Sequence, residues 1–377
     1  MSETTVEADG WVEAEFAGAE FGDRRLSRRI LLLAESIADH PERSLPRACE
    51  DDGALEAAYR FFNNHAVTPE AILGPHVRAT VRRCAEQETV LAVHDTTTLG
   101  YRANGKRSGL GPHGSSQQFF AHATLAVGAD AAHVPLGVLG LKTYARKGDG
   151  GDGSEMHRWL LQARAVSELG IPPSRLVHVM DREADCYELI AGLTSHSLRF
   201  VIRGDDDRSV IPETLGVSHA FADVLASIRM EARREVPISM RQARGRHNAD
   251  KRKRHPPRNA RIASLHIGAA RITLKRPKAR AMSLPETCGL NVVHVWEPSP
   301  PSGEPAVRWI LLTTEPIDTT EHVLAIVDIY RARWRIEIDQ SCCAPREVVY
   351  VPPLPGPVTP IRDRPVAVEA PCHRFAA

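Results

Sequence analysis

Over roughly the first seventy residues, apolar positions recur at three- and four-residue spacing. Leu26, Ile30, Leu33 and Ile37 share one helical face behind Asp23, and Leu55, Ala58, Tyr59 and Phe62 mark a second helix. From about residue 88 the texture becomes strand-like, with apolar runs at Thr89–Val93, Ala121–Val127 and Val134–Leu141. Ser154 then caps a predicted helix carrying Trp159, Leu160, Ala163 and Val166, which stops at Gly170 before Pro172 and Pro173. Buried strands are expected at Leu176–Met180 and Leu198–Ile202.

Between about 206 and 316 the pattern is one of short alternating strands, such as Ala269–Lys275 and Val307–Thr313. Asp318, with Glu321 three residues on, predicts the capped start of a helix through Val323, Leu324, Ile326, Val327, Tyr330 and Trp334, running to about 338. Beyond Ile338 no apolar period of either kind persists. Pro345, Pro352, Pro353, Pro355, Pro357 and Pro360 interrupt any helix there. Strands alternating with helices predict an α/β fold.

Composition adds bounds to this picture. The chain has 377 residues, 42% hydrophobic and 25% charged, enough for two or three globular domains. No run of eighteen apolar residues occurs and the first ten residues are polar and acidic, so a cytoplasmic protein with no membrane partner is expected. Seven scattered cysteines without a Cys-x-x-Cys pair suggest reduced thiols. The net charge of +1 hides a segregation: Arg24, Arg25, Arg28 and Arg29 form one cluster, and the stretch from Arg241 to Arg280, including Lys251, Arg252, Lys253 and Arg254, holds a single acid, Asp250. Such runs suit either a solvated loop or a phosphate-binding surface.

Two acids end apolar strands, Asp95 after Leu91-Ala-Val-His and Asp181 after Val177-His-Val-Met, where open α/β sheets place ligands. Tyr330, Arg333 and Glu337 occupy one helical face at positions i, i+3 and i+7. Three converging carboxylates suit a pair of hard divalent cations and phosphodiester chemistry. Each residue also has an ordinary structural role open to it: Asp95 as a turn cap, Asp181 as a partner of Arg182, and the helix face as a surface ion-pair array.

The strings His94-Asp-Thr-Thr-Thr-Leu-Gly-Tyr101, Met180-Asp-Arg-Glu-Ala-Asp185 and Asp328-Ile-Tyr-Arg-Ala-Arg-Trp-Arg-Ile-Glu337 resemble the three catalytic motifs of the bacterial insertion-sequence-four family of transposases, which includes the transposon-five transposase. Phe21-Gly-Asp-Arg-Arg25, Ala58-Tyr-Arg-Phe-Phe62 and Arg308–Pro316 extend the resemblance over residues 11 to 338. It implies a ribonuclease-H-like mixed sheet with flanking helices, interrupted by a β-rich insertion and preceded by a helical DNA-binding domain. The corresponding boundaries are 1–70 for the DNA-binding domain, 71–205 for the first part of the core, 206–316 for the insertion, 317–340 for the catalytic helix and 341–377 for the tail.

By the same resemblance, Asp95, Asp181 and Glu337 form the catalytic triad that binds two Mg²⁺ ions, with Mn²⁺ able to substitute. Tyr330 and Arg333 lie near DNA phosphates, and Trp309 stacks on a flipped base, with a core tryptophan of its strand as the other reading open to it. Arg24, Arg25, Arg28, Arg60 and Lys251 to Arg254 are DNA-binding candidates, with Arg182 and Glu183 in support. The partners implied are double-stranded DNA, as transposon ends and target, and a second copy of the chain. The family signature runs Tyr, Arg, Glu and then Lys, but position 344 is Ala. The abrupt proline-rich ending is what a reading-frame shift would produce, with programmed frameshifting or a genuine tail as alternatives, and it predicts a copy inactive or nearly so in complete transposition. A DNA-binding relic and a stand-alone ribonuclease-H-like nuclease are the alternatives; Trp309 and the N-terminal arginines argue against the latter.

Overall fold

In the computed structural model the described residues are 10–336, apart from 42, 50, 103–108, 114–115, 146–154, 239, 241–256, 279 and 281–282. The N-terminal region is helical: α1 (Trp11–Phe16), α2 (Arg24–Asp39), α3 (Leu45–Ala48) and α4 (Asp52–Phe62). Asp23 caps α2 by accepting from the Arg25 amide, and Asp51 caps α4 through the Ala54 amide. Phe21, Ile30, Leu33, Leu45, Ala58 and Phe61 form a small core of their own.

A helix that the sequence pattern did not reveal, α5 (Pro69–Ala85), joins this region to the sheet. Its apolar residues are not gathered on one face and it contains Pro75, so its periodicity is weak. Twelve strands then form one mixed sheet: β1 (Val90–Arg102), β2 (Gly111–His113), β3 (Ser116–Gly128), β4 (Pro135–Tyr144), β5 (Leu176–Met180), β6 (Phe200–Arg203), β7 (Ser209–Pro212), β8 (His219–Ala220), β9 (Ala232–Ile238), β10 (Arg261–Lys275), β11 (Thr287–Trp296) and β12 (Arg308–Thr313).

The order along the sheet is β2-β3-β1-β5-β6-β12-β11-β10-β7-β8, with β4 on β3 and β9 on β10. Among the described residues only β1–β5 and β5–β6 are parallel. The strands of the 206–316 region therefore continue the same sheet through the antiparallel β12–β6 pair. Helices α6 (Glu155–Ser167), α7 (Tyr187–Ser195), α8 (Phe221–Ser227) and α9 (Thr320–Ala332), with short 3-10 turns at Pro173–Arg175 and Arg182–Ala184, complete the described elements.

The period-two alternation of the strands sorts their side chains onto two faces. Leu91, Val93, Val177, Val179, Val201, Trp309 and Leu311 pack with Val323, Ile326, Val327 and Tyr330 of α9. Phe200, Ile202, Ile310 and Leu312 face the other way, toward Trp159 of α6 and Leu189, Ile190 and Leu193 of α7. Helix α9 begins one residue later than expected. Thr319, not Asp318, is its cap and accepts from the His322 amide, because Asp318 is turned toward Arg271.

Candidate active site

Val93 of β1 is paired in register with Val179 of β5, so Asp95 and Asp181 lie at one level, each two residues beyond that pair. Adjacent strands are about 4.8 Å apart. Counting by twos from Leu91 and Val93, and from Val177 and Val179, puts both aspartates on the α9 face. Asp95 is not a turn cap: it lies within β1, opposite Ala123 of β3. Asp181 does cap a short turn, accepting from the Glu183 amide at 2.9 Å. Arg182 is not its partner, since Arg182 pairs with Asp205.

Arg333 completes this cluster among the described residues. Its side chain is 5% exposed, and Nη1 stands 3.7 Å from Asp95 Oδ1. Arg333 follows the last turn of α9, where the bonds from Arg333 N to Tyr330 O and from Ile336 N to Arg333 O tighten the chain into i→i+3 steps. Tyr330 is fully buried, and its hydroxyl has no hydrogen-bond partner among the described residues. Trp309 is 3% exposed and packs on Tyr330 with ring centroids 5.8 Å apart. Glu337, Ala344 and the tail lie outside the described residues.

The reverse face of the same strands carries a group that sequence reasoning missed. His94, His122 and His178 are each at most 1% exposed. His94 Nε2 lies 3.0 Å from His178 Nδ1, and His94 Nδ1 lies 3.3 Å from His122 Nε2. Burial pushes the His122 and His178 imidazoles down to about 4. Burial, with His178 and His122 alongside, holds His94 well below its ordinary value. The available signal was a histidine at an inward position of three separate apolar strands.

In the N-terminal region Arg24, Arg25 and Arg28 project to solvent from the first turns of α2, and Arg60 from the end of α4. Cations in the first turn of a helix oppose its dipole, so Arg24, Arg25 and Arg28 do not stabilise α2 through it, whereas Arg60 sits at the favourable end of α4. Asp23 engages Arg25 and Glu56 engages Arg60. Residues 8–67 match the transposase DNA-binding family model. That region contains α1 to α4 and all four of these arginines. The match supports a transposase with DNA as its partner.

Lys251, Arg252, Lys253 and Arg254 lie outside the described residues. Elsewhere in the basic stretch much of the charge is already paired: Arg261 with Glu297, Arg271 with Asp318, and Arg280 with Glu188. Lys275 and Lys278 are exposed. Among the described residues, no helix is long and apolar enough to cross a membrane.

Proposed function

We propose that this protein is a DNA transposase whose helical residues 8–67 grip transposon ends and whose paired aspartates cleave and transfer DNA strands. The observation that carries the reading is Asp95 and Asp181 at one level of two adjacent parallel strands, with Arg333 against Asp95, in a chain whose N-terminus matches a transposase DNA-binding family. The strand order β4-β3-β1-β5-β6, three antiparallel strands followed by two parallel to β1, supports a ribonuclease-H-like core.

Two neighbouring carboxylates are hard oxygen donors, and they fit Mg²⁺ better than a softer metal. Asp95 and Asp181 would hold it, with Glu337 as the third ligand by resemblance. Bound Mg²⁺ supplies charge at the attacking and leaving oxygens of a phosphodiester. Arg333 offsets the charge of the carboxylates and orients Asp95. The arginines of α2 hold the DNA backbone in place, without reading its sequence.

Ala344 and the prolines from Pro345 onward favour a second reading, a protein that binds transposon ends without completing transposition. A stand-alone nuclease is disfavoured by the DNA-binding match. The test is nicking of a terminal-repeat duplex with Mg²⁺ by the wild type, Asp95→Asn and Asp181→Asn. Nicking that disappears in both variants while DNA binding persists is the expected result. Equal nicking in the variants would remove the aspartates from the chemistry, and binding without nicking by any of the three would favour the second reading.

A further inference from the structure

The ladder joining β1 to β5 has its last rung at Val93–Val179. Both aspartates lie two residues farther on. On its other side β1 stays paired to β3 as far as Arg102, and β5 stays paired to β6 as far as Met180. On the reverse face His94, one residue past the last rung, reaches diagonally back to His178, which is level with Ala92 inside the ladder, at 3.0 Å.

The hydrogen-bond directions of this group follow from one end. Ser167 Oγ of α6 donates to the Ala163 carbonyl at 2.9 Å and therefore accepts from His178 Nε2 at 3.1 Å. His178 then accepts at Nδ1 from the Nε2–H of His94. His94 accepts in turn at Nδ1, where Thr124 Oγ1 stands at 3.1 Å and His122 Nε2 at 3.3 Å. His122 Nδ1 meets Thr96 Oγ1 at 2.8 Å. The result is a rod of neutral imidazoles across β3, β1 and β5, anchored in α6. Asp95 is flanked in sequence by two of its members, His94 and Thr96.

We propose that this rod is a positioning element for the carboxylate pair: it ties the first residue of β1 past the last backbone rung back onto β5, so that Asp95 and Asp181 stay level. His94 is its central positioning residue. The proposal rests on the reading of the two aspartates as the active carboxylates. Satisfied buried networks of this kind fix one arrangement, and partly satisfied ones release it.

The test reads strand spacing directly, without metal or DNA. In the full chain, Asp95→Cys and Asp181→Cys are combined and equilibrated with a glutathione redox buffer, and the 95–181 disulfide is quantified by peptide mass spectrometry. Neighbouring strands at one level fall within disulfide reach. Adding His94→Phe, which keeps a somewhat larger aromatic ring there but removes both ring nitrogens, should lower the effective concentration of the thiol pair at least about tenfold. His94→Gln, which restores a donor toward His178, should recover it to within about threefold. Ser167→Ala removes only the end anchor and should give an intermediate decrease, which keeps the test available if His94→Phe does not fold. An undiminished effective concentration in folded His94→Phe or in Ser167→Ala overturns the proposal. Failure of the catalytic reading would appear separately, as Mn²⁺ binding that Asp95→Asn leaves unchanged in the parent chain.

Discussion

Arg333 Nη1 stands 3.7 Å from Asp95 Oδ1, and the two side chains are 5% and 20% exposed. This is an ion pair beyond hydrogen-bond length, made where little water screens it. Removing the arginine leaves a part-buried carboxylate beside Asp181 with less positive charge to offset it. Arg333→Ala should destabilise the fold by about 2–4 kcal/mol. It should also increase the stabilisation gained from added Mn²⁺, because the cation takes over the neutralising role. Urea unfolding of both proteins with and without Mn²⁺ checks this. An Arg333→Ala variant as stable as the wild type would show that the pair contributes nothing.

Acid should weaken the fold well before ordinary carboxylates titrate. Burial holds His122, His178 and His294 at about 4, whereas an unfolded chain binds these protons near 6.5. Above 6.5 both states are neutral and the stability is fully present. Between 6.5 and 4 the unfolded state alone takes up protons, so stability falls as pH falls. Each histidine contributes on the order of 2–3 kcal/mol over that window. Urea midpoints at pH 7.5 and pH 5 should differ clearly, and equal midpoints would contradict the burial of these rings as neutral groups.

Helix α1 is tied to the sheet through one glycine. Glu15 accepts from His76 Nδ1 and from Arg83 Nη1, both at 2.6 Å. The Val138 amide donates to His76 Nε2 at 2.9 Å, and Arg83 Nε donates to the Leu136 carbonyl at 2.5 Å. Between those two backbone groups lies Gly137, with φ +131, where an added Cβ would meet Thr80 Oγ1 at 2.2 Å. Gly137→Ala combines a disfavoured backbone with overpacking and should cost about 3 kcal/mol or more. Thermal unfolding measures it, and a change within error would show that the backbone relaxes freely there.

DNA binding by the N-terminal helices should weaken steeply with salt. Each phosphate neutralised adds about −0.9 to the slope of log affinity against log salt. Replacing Arg24, Arg25 and Arg28 together with alanine should make that slope shallower by about two to three. Filter binding or anisotropy over a salt series reads it, and an affinity indifferent to salt would remove this face from the interface.

Much of this molecule was legible in its sequence, for identifiable reasons. The apolar run Leu176–Met180 returned as β5 with the same bounds, because it is buried on both faces and contains no competing turn residue. The arginine-bearing helix returned as α2 behind its Asp23 cap. Helix α5 was hidden by Pro75 and a weak apolar stripe, and β1 runs on through Thr96, Thr97 and Thr98, whose polar hydroxyls mask a strand. The level placement of Asp95 and Asp181 was not readable either, since pairing register between distant strands leaves no trace in local spacing. The histidine rod was hidden for the same reason: its members lie 28 and 84 residues apart along the chain and meet only across strands.

In the proposed function Asp95 and Asp181 together hold a divalent cation. Titration of the full chain with Mn²⁺, followed by electron paramagnetic resonance of the unbound ion, tests it in the absence of DNA. The wild type should bind Mn²⁺ in competition with Mg²⁺, and Asp95→Asn and Asp181→Asn should each weaken that binding at least about tenfold, since each removes one of the charged oxygen ligands. Mn²⁺ binding that is the same in the wild type and both variants would contradict a shared cation site.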